Sequence, residues 1–224
     1  MKRFIEAFRA VDRKDFVPHE LAHLAYENQP LPIGFGQTIS QPLAVAFLLE
    51  ALEPQAGEKI LDIGAGSGWQ TALLAHIVSE SQTDPAPEQV RYGASADPSA
   101  QIRADKNLRK SAGHVVAIER IPELAGMAQK NISKCGFIDS GVVEIVCGDG
   151  MRGFEKEAPF DRIIAAASGT EIPQAWKDQL KVGGRIAAPV GEYIVVLDKI
   201  GEDEFREKKH FGFVFVPLVE GKGR

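Results

Sequence analysis

"ILDIGAGSGW", Ile60 to Trp69, is the stretch on which the fold of this chain is read. A short apolar run ends at Asp62 and Ile63, glycines follow at 64, 66 and 68, and an apolar pattern of helical spacing begins directly afterwards. A buried strand that stops in glycines and restarts as a helix is the ligand-facing turn of an α/β unit. Gly64 and Gly66 let the backbone turn tightly where a Cβ would clash with an approaching ligand. Glycine-rich turns also close strands onto helices for packing alone, so the loop needs partners elsewhere in the chain.

Working outward from the loop, short β-rich runs alternate with helical patterns from residue 58 onward. This alternation predicts a parallel sheet wrapped by helices. Strands are expected at "KILDIG" (59–64), "HVVAIE" (114–119), "VVEIVCG" (142–148), "FDRIIAAA" (160–167) and "RIAAPVG" (185–191). Helices are expected over "GWQTALLAHIV", "PELAGMAQKNISKCG" and "IPQAWKDQLKVGG", the last starting near Pro173 and ending near Gly183. "YIVVLDKI" (193–200) and "HFGFVFVPL" (210–218), joined by the charged "GEDEFREKK", read as an antiparallel hairpin at the sheet edge, with the charge run as a solvated turn. The expected fold is therefore α/β, a doubly wound, mostly parallel sheet with helices on both faces and a C-terminal antiparallel hairpin.

One segment breaks the alternation. Residues 80–112 hold three prolines and four sizeable apolar residues, Val90, Tyr92, Ile102 and Leu108, too few to cover a core face. They read as a polar insertion between helix and strand, dispensable for cofactor affinity because it leaves the helix at the end away from the glycine loop.

The insertion also restores a register. In nucleotide-binding α/β units a carboxylate ending the second strand, about 20 residues after the first, bonds ribose hydroxyls. Glu119 lies 57 positions after Asp62; without the 33 residues 80–112 it lies 24 after. The third strand ends in "CGDG", where Asp149, followed by Gly150, is placed either to accept from an adenine amino group or to form an Asp-Gly turn.

The charge pattern selects among cofactors. Dinucleotide sites favour G-x-G-x-x-G with the pyrophosphate on a helix N-terminus. Here Asp62 at the strand end repels a pyrophosphate and attracts a cation. S-adenosylmethionine carries a sulfonium and an ammonium and no phosphate. The loop resembles motif I of the class I S-adenosylmethionine-dependent methyltransferases, and the expected fold is then their Rossmann-like arrangement.

Composition fits such an enzyme. The 224 residues are 44% hydrophobic and 25% charged, enough apolar material for one α/β domain. The net charge of -5 gives no electrostatic footprint for nucleic acid or an anionic membrane. The opening "MKRFIEAFRAV" reads as an amphipathic helix with Phe4, Ile5, Phe8 and Val11 on one face. No apolar run reaches membrane-spanning length. Cys135 and Cys147 suit neither a disulfide framework nor a zinc site, and five scattered histidines lack ligand spacing, so no metal is expected. A cytoplasmic monomer without nucleic-acid or membrane partners is expected.

Six blocks in series carry a closer likeness: "VDRKDFVP" (11–18), "AYENQPLPIGFGQTISQP" (25–42), "LDIGAGSGW" (61–69), "GDG" (148–150), "QLKVGGRIAAPVG" (179–191) and "FVPL" (215–218). They closely resemble the protein-L-isoaspartate O-methyltransferase family over nearly the whole chain, the insertion excepted. The resemblance implies an enzyme that methylates the α-carboxyl of L-isoaspartyl residues in damaged proteins and peptides, releasing S-adenosyl-L-homocysteine; the ester then collapses to a succinimide.

Site residues follow from the resemblance, position by position. Ser40 of "QTIS" corresponds to the active-site serine, and Gln37, Thr38 and Ile39 belong with it to the substrate-binding stretch. Asp62, Gly64, Ala65, Gly66, Ser67, Gly68, Glu119, Asp149 and Gly150 correspond to the cofactor site, with Trp69 closing its loop. Residues 1–57 are then N-terminal substrate-binding helices and loop, and 58–224 the cofactor-binding core, within one domain. Trp69 stands where a smaller aromatic is common, and Val219 where some relatives have Thr. Two alternatives stay open: a methyltransferase of this fold acting on another carboxylate or small-molecule acceptor, and a noncatalytic module that keeps the cofactor fold.

Overall fold

The computed structural model describes residues 2–79 and 113–221. The segment read as an insertion, 80–112, lies outside them. Seven strands form one sheet: β3 (Lys59–Ile63), β4 (His114–Glu119), β5 (Val143–Cys147), β6 (Phe160–Ala165), β7 (Leu180–Val190), β8 (Tyr193–Lys199) and β9 (Phe205–Phe211), in the order β5-β4-β3-β6-β7-β8-β9. The first five pair in parallel, while β7–β8 and β8–β9 pair antiparallel. The order reverses around β3, which places its carboxyl end, the glycine loop, at the switch point where ligands bind in open α/β sheets.

Strand residues alternate between two buried faces. Ile60, Val115, Ala117, Ile164 and Ala187 join one apolar cluster; Leu61, Ile63, Val116, Ile118, Ile163 and Ile186 join the other. Both faces are covered, as a parallel sheet requires. On the first face lie α1 (Lys2–Ala10), α2 (Pro42–Leu52), α3 (Trp69–Ser79) and α4 (Pro122–Ser133). Among the described residues the second face carries one short α-helix, α5 (Gln174–Asp178), whose Trp176 is fully buried in that cluster, beside two single-turn 3-10 helices, Gly150–Arg152 and Glu155–Glu157. Arg185 bonds Asp198 at 2.6 Å, Glu53 at 2.8 Å and the Ala51 carbonyl at 3.1 Å, fixing the end of α2 to the sheet.

Several boundaries differ from the sequence reading. The helix expected over 172–184 stops at Asp178, and Leu180 already begins β7, so Gly183 sits inside a strand. The hairpin exists, but its outer strand is "FREKKHF" (205–211), read as part of a turn. Its charges lie on the exposed edge of the sheet, where lysines discourage edge-to-edge pairing and erase the apolar alternation that marks inner strands. Phe213 to Val219 leave the sheet edge; the Ser168 N–H donates to the Val216 carbonyl at 2.7 Å and the Leu218 N–H to the Ser168 carbonyl at 2.8 Å. In α1 the inward face is Phe4, Ala7, Phe8 and Val11, while Ile5 is exposed.

The N-terminal region adds a small second sheet. β1 (Leu31–Gly34) and β2 (Gln37–Ile39) form an antiparallel hairpin whose tip is Phe35, a non-glycine residue at φ +54°. Leu31, Ile33 and Ile39 anchor it in the core. Ser40 follows at once, two residues before α2 begins at Pro42. A strand, a serine and a proline-started helix therefore hold this hydroxyl in place.

Candidate active site

The glycine loop is a folded-back turn. Gly64 and Ala65 both donate to the Ile118 carbonyl, at 2.8 and 3.1 Å, and Gly68 donates to Ala65 at 2.8 Å. Gly64 and Gly68 serve different ends. At Gly64, φ +86°, a Cβ would meet nothing within 4 Å, and the residue lines two cavities. At Gly68, φ +95°, a Cβ would lie 2.9 Å from Ile132 and 3.2 Å from Ala128 Cα. The first glycine keeps ligand space open; the last brings α4 against the loop.

Three adjoining cavities cross the carboxyl ends of the strands. The central cleft encloses about 630 Å³, part of it open to solvent, between the hairpin (Gln37, Thr38), the loop (Gly64, Gly66), Glu119 and the C-terminal run Val216–Val219. A second cavity shares Thr38, Gly64 and Gly66 with it and adds Ile39, Ser40, Ala65, Ser67, Trp69 and Gln70. The third, reached past Ile118, is lined by Asp149, Arg152 and Gly221. Gln37, Thr38, Ile39, Ser40, Gly64, Ala65, Gly66, Ser67, Glu119, Asp149 and Gly150 all line one of the three.

Glu119 is 5% exposed and already accepts two backbone hydrogen bonds, from Gly66 and Ile121, each at 2.9 Å. A carboxylate keeps further lone-pair sites free for hydroxyls. Asp149 combines both readings made for it. Oδ1 accepts from Met151 N at 3.0 Å, as a turn residue does, while Oδ2 faces the third cavity and accepts from Gly221 N at 3.0 Å. Arg120 donates to the Gly221 carbonyl at 3.4 Å, so the two side chains hold that peptide at the rim. Gly150 packs against Ile63, where a Cβ would come within 2.6 Å.

Two predicted residues stand behind the cavities rather than on their walls: Asp62 and Gly68. Asp62 is 0% exposed; Oδ1 accepts from Gln70 Nε2 at 2.8 Å and Oδ2 from Thr71 Oγ1 at 2.7 Å. Burial pushes its carboxyl up to about 6, against the lowering effect of those two bonds and with a further upward push from Glu119. Its visible task is to fix the first turn of α3.

Arg13 is a residue the sequence reading did not single out. It is 3% exposed and donates to three carbonyls: Ala25 at 2.7 Å, Gln29 at 3.0 Å and Ser40 at 3.0 Å. Its guanidinium lies 5.3 Å from the Trp69 ring centre. Burial lowers its basicity to about 10, which leaves it cationic at neutral pH. Among the described residues it has no carboxylate partner, so its charge is balanced by carbonyl dipoles and an aromatic face. The signal was the block "VDRKDFVP", whose charged arginine sits between apolar residues that are themselves buried, Val11 and Phe16. Asn28 adds to this frame by accepting from Leu43 N at 3.0 Å, which caps α2.

Trp69 is 3% exposed and holds the wall beneath Ser40, with Phe8 edge-on at 5.5 Å between ring centres and its indole N–H 3.4 Å from the Val11 carbonyl. Val219 lines the central cleft and brings no polar group to it. Ser40 Oγ has no hydrogen-bond partner among the described residues and lines the second cavity, while its carbonyl is held by Arg13.

Comparison with known proteins agrees with this geometry. The sequence model of the protein-L-isoaspartate(D-aspartate) O-methyltransferase family matches residues 1–95 and 99–223. Among similar relatives, the protein-L-isoaspartate O-methyltransferase of Aeropyrum pernix is 39% identical over 226 residues, covering 99% of this chain and 74% of its own. That of Staphylothermus marinus is 40% identical, covering 95% and 84%. A Plasmodium falciparum structure, described as a protein-L-isoaspartate O-methyltransferase in complex with S-adenosyl-L-homocysteine, superposes with a TM-score of 0.76 at 22% identity, covering 98% of this chain and 91% of that one. With the family pattern matched from the N-terminal hairpin to the C-terminal wall of the cleft, the chain belongs to the protein-L-isoaspartate(D-aspartate) O-methyltransferase family.

Proposed function

We propose that this protein is a repair methyltransferase that transfers the methyl group of S-adenosylmethionine to the α-carboxyl of L-isoaspartyl residues in damaged proteins and peptides. The observation that carries the reading is the shared cavity of the Ser40 hydroxyl and the glycine loop, in a chain of this family. Glu119 would hold the cofactor's ribose, Asp149 and Gly150 its adenine, and loop residues Gly64–Gly68 together with the hairpin its amino-acid end. When bound it supplies an electrophilic methyl group on a sulfonium.

The residues present suit a reaction that needs no strong base. An α-carboxylate, with a pKa of about 3.5, is ionised at neutral pH and attacks without losing a proton. The protein supplies alignment, which contributes roughly 7–11 kcal/mol in favourable cases. Ser40 Oγ donates to one carboxylate oxygen and leaves the other aimed at the methyl group; Gln37, Thr38 and Ile39 place the peptide around it. Ile39, Val45 and Trp69 exclude water from the reacting end. Residues 1–57 form the substrate side and 58–224 the cofactor side of one unit, acting as a cytoplasmic monomer. No helix among the described residues is long and apolar enough to cross a membrane.

The test uses methyl-labelled S-adenosylmethionine with matched peptides containing L-isoaspartate or L-aspartate. Base-labile label on the isoaspartyl peptide alone is expected. Label on neither, or equally on both, overturns the assignment of acceptor.

A further inference from the structure

Two non-glycine residues among those described have a positive φ, Phe35 at +54° and Glu53 at +55°. For Glu53 the reason is local: it caps the C-terminus of α2, its N–H donating to the Leu49 carbonyl at 3.0 Å. A left-handed residue is an ordinary way to end a helix. Phe35 ends no helix. It sits at the tip of the β1–β2 hairpin between Gly34 at φ +92° and Gly36 at φ +69°, so three residues in a row have positive φ. For the glycines this is free of strain, whereas for a bulky L-residue it is not.

The fold gives Phe35 nothing in return for that strain. The residue is 54% exposed, belongs to neither core cluster and has no aromatic partner among the described residues. The space on both sides is clear as well, since a Cβ on Gly34 or Gly36 would meet nothing within 4 Å. The tip is nevertheless anchored. Leu31, Ile33 and Ile39 hold the hairpin in the core, and Gln37 Nε2 donates to the Phe35 carbonyl at 3.4 Å. Gln37 and Thr38 line the central cleft and Ser40 the cavity beside it, so the ring stands on the segment that forms the substrate side of the site. An aromatic ring on an ordered backbone has only two χ angles to fix, and offers contact area at a small entropic cost.

We infer that Phe35 is a specificity-determining residue that packs against an apolar side chain of the substrate polypeptide, apart from the isoaspartate itself. The inference rests on the isoaspartyl-acceptor reading above, and adds that damaged sites with an apolar neighbour are preferred. Five residues at about 3.4 Å each separate Phe35 from Ser40, about 17 Å at most. An extended substrate chain then presents that neighbour within about five positions of the isoaspartate.

The test measures methyl transfer to isoaspartyl peptides built of serine and glycine, in which a single leucine is moved through the five positions on either side. Leucine at one or two of those positions should lower the wild-type KM by about threefold to tenfold with kcat unchanged. Phe35→Asn removes the ring and installs a residue that tolerates the left-handed region. Its urea midpoint should equal or exceed that of wild type, its leucine preference should vanish, and its KM for the leucine-free peptide should stay within about twofold. Phe35→Leu should keep most of the preference. Val182→Ser, at an exposed apolar residue near the start of β7 and away from the glycine loop, should behave as wild type. A variant F35N that keeps the preference, or a wild-type protein indifferent to leucine at every position, overturns the role of Phe35 while leaving the acceptor reading intact. A wild-type protein that methylates none of the peptides overturns both.

Discussion

Replacing Asp62 by asparagine isolates the energetic consequence of burying a carboxylate behind the loop. In the folded protein burial raises this carboxyl from 3.8 to about 6. The folded state then binds the proton more tightly than the unfolded chain. Across that window the unfolded state is the less protonated one, so stability falls as pH rises from below 3.8 through 6. A displacement of about two units corresponds to about 3 kcal/mol in full, of which about 2 kcal/mol falls between pH 4.5 and 7.5. The asparagine side chain does not titrate, and its amide retains a partner for Gln70 or Thr71. Urea denaturation of wild type and Asp62→Asn at pH 4.5, 6.0 and 7.5 should show the variant gaining on the wild type by about 2 kcal/mol over the range. A difference constant within about 0.5 kcal/mol would refute the argument, because it would mean that Asp62 carries no proton-linked strain.

Further expectations concern the frame around Ser40. Ser40→Ala removes a hydroxyl that no described residue uses, so denaturation should be unchanged while turnover falls about tenfold to a hundredfold, with calorimetric affinity for S-adenosylhomocysteine preserved. Arg13→Lys keeps the charge but cannot reach three carbonyls at once; a loss of about 1–3 kcal/mol by denaturation is expected, together with a lower kcat that added salt does not restore. Gly68→Ala forces a Cβ against Ile132 at a φ of +95°, and a loss of about 2–4 kcal/mol should appear as a lower urea midpoint.

What the sequence disclosed depended on whether the determinant was local. The strand–glycine–helix unit, Glu119 and the Asp149–Gly150 pair were legible because each ends a strand whose apolar residues lie beside it in the chain. "FREKKHF" was misread because an exposed edge strand has no buried face to impose alternation. Asp62 was assigned to the ligand because its charge is local information, whereas its complete burial is a property of the packed helix α3. Arg13 stayed hidden for the same reason: its three acceptors lie 12, 16 and 27 positions away, and nothing short of the folded chain brings their carbonyls to one guanidinium.

The central cleft takes its walls from residues 37–38, 63–66, 118–121 and 216–219, stretches separated by most of the polypeptide. Such a cavity has high contact order, and contacts between distant segments form late in folding. Cofactor binding at this cleft therefore measures completion of the whole fold rather than of the loop. Ligand-induced stabilisation then becomes a readout of long-range order, since a ligand adds stability only to the state in which all of these walls have met.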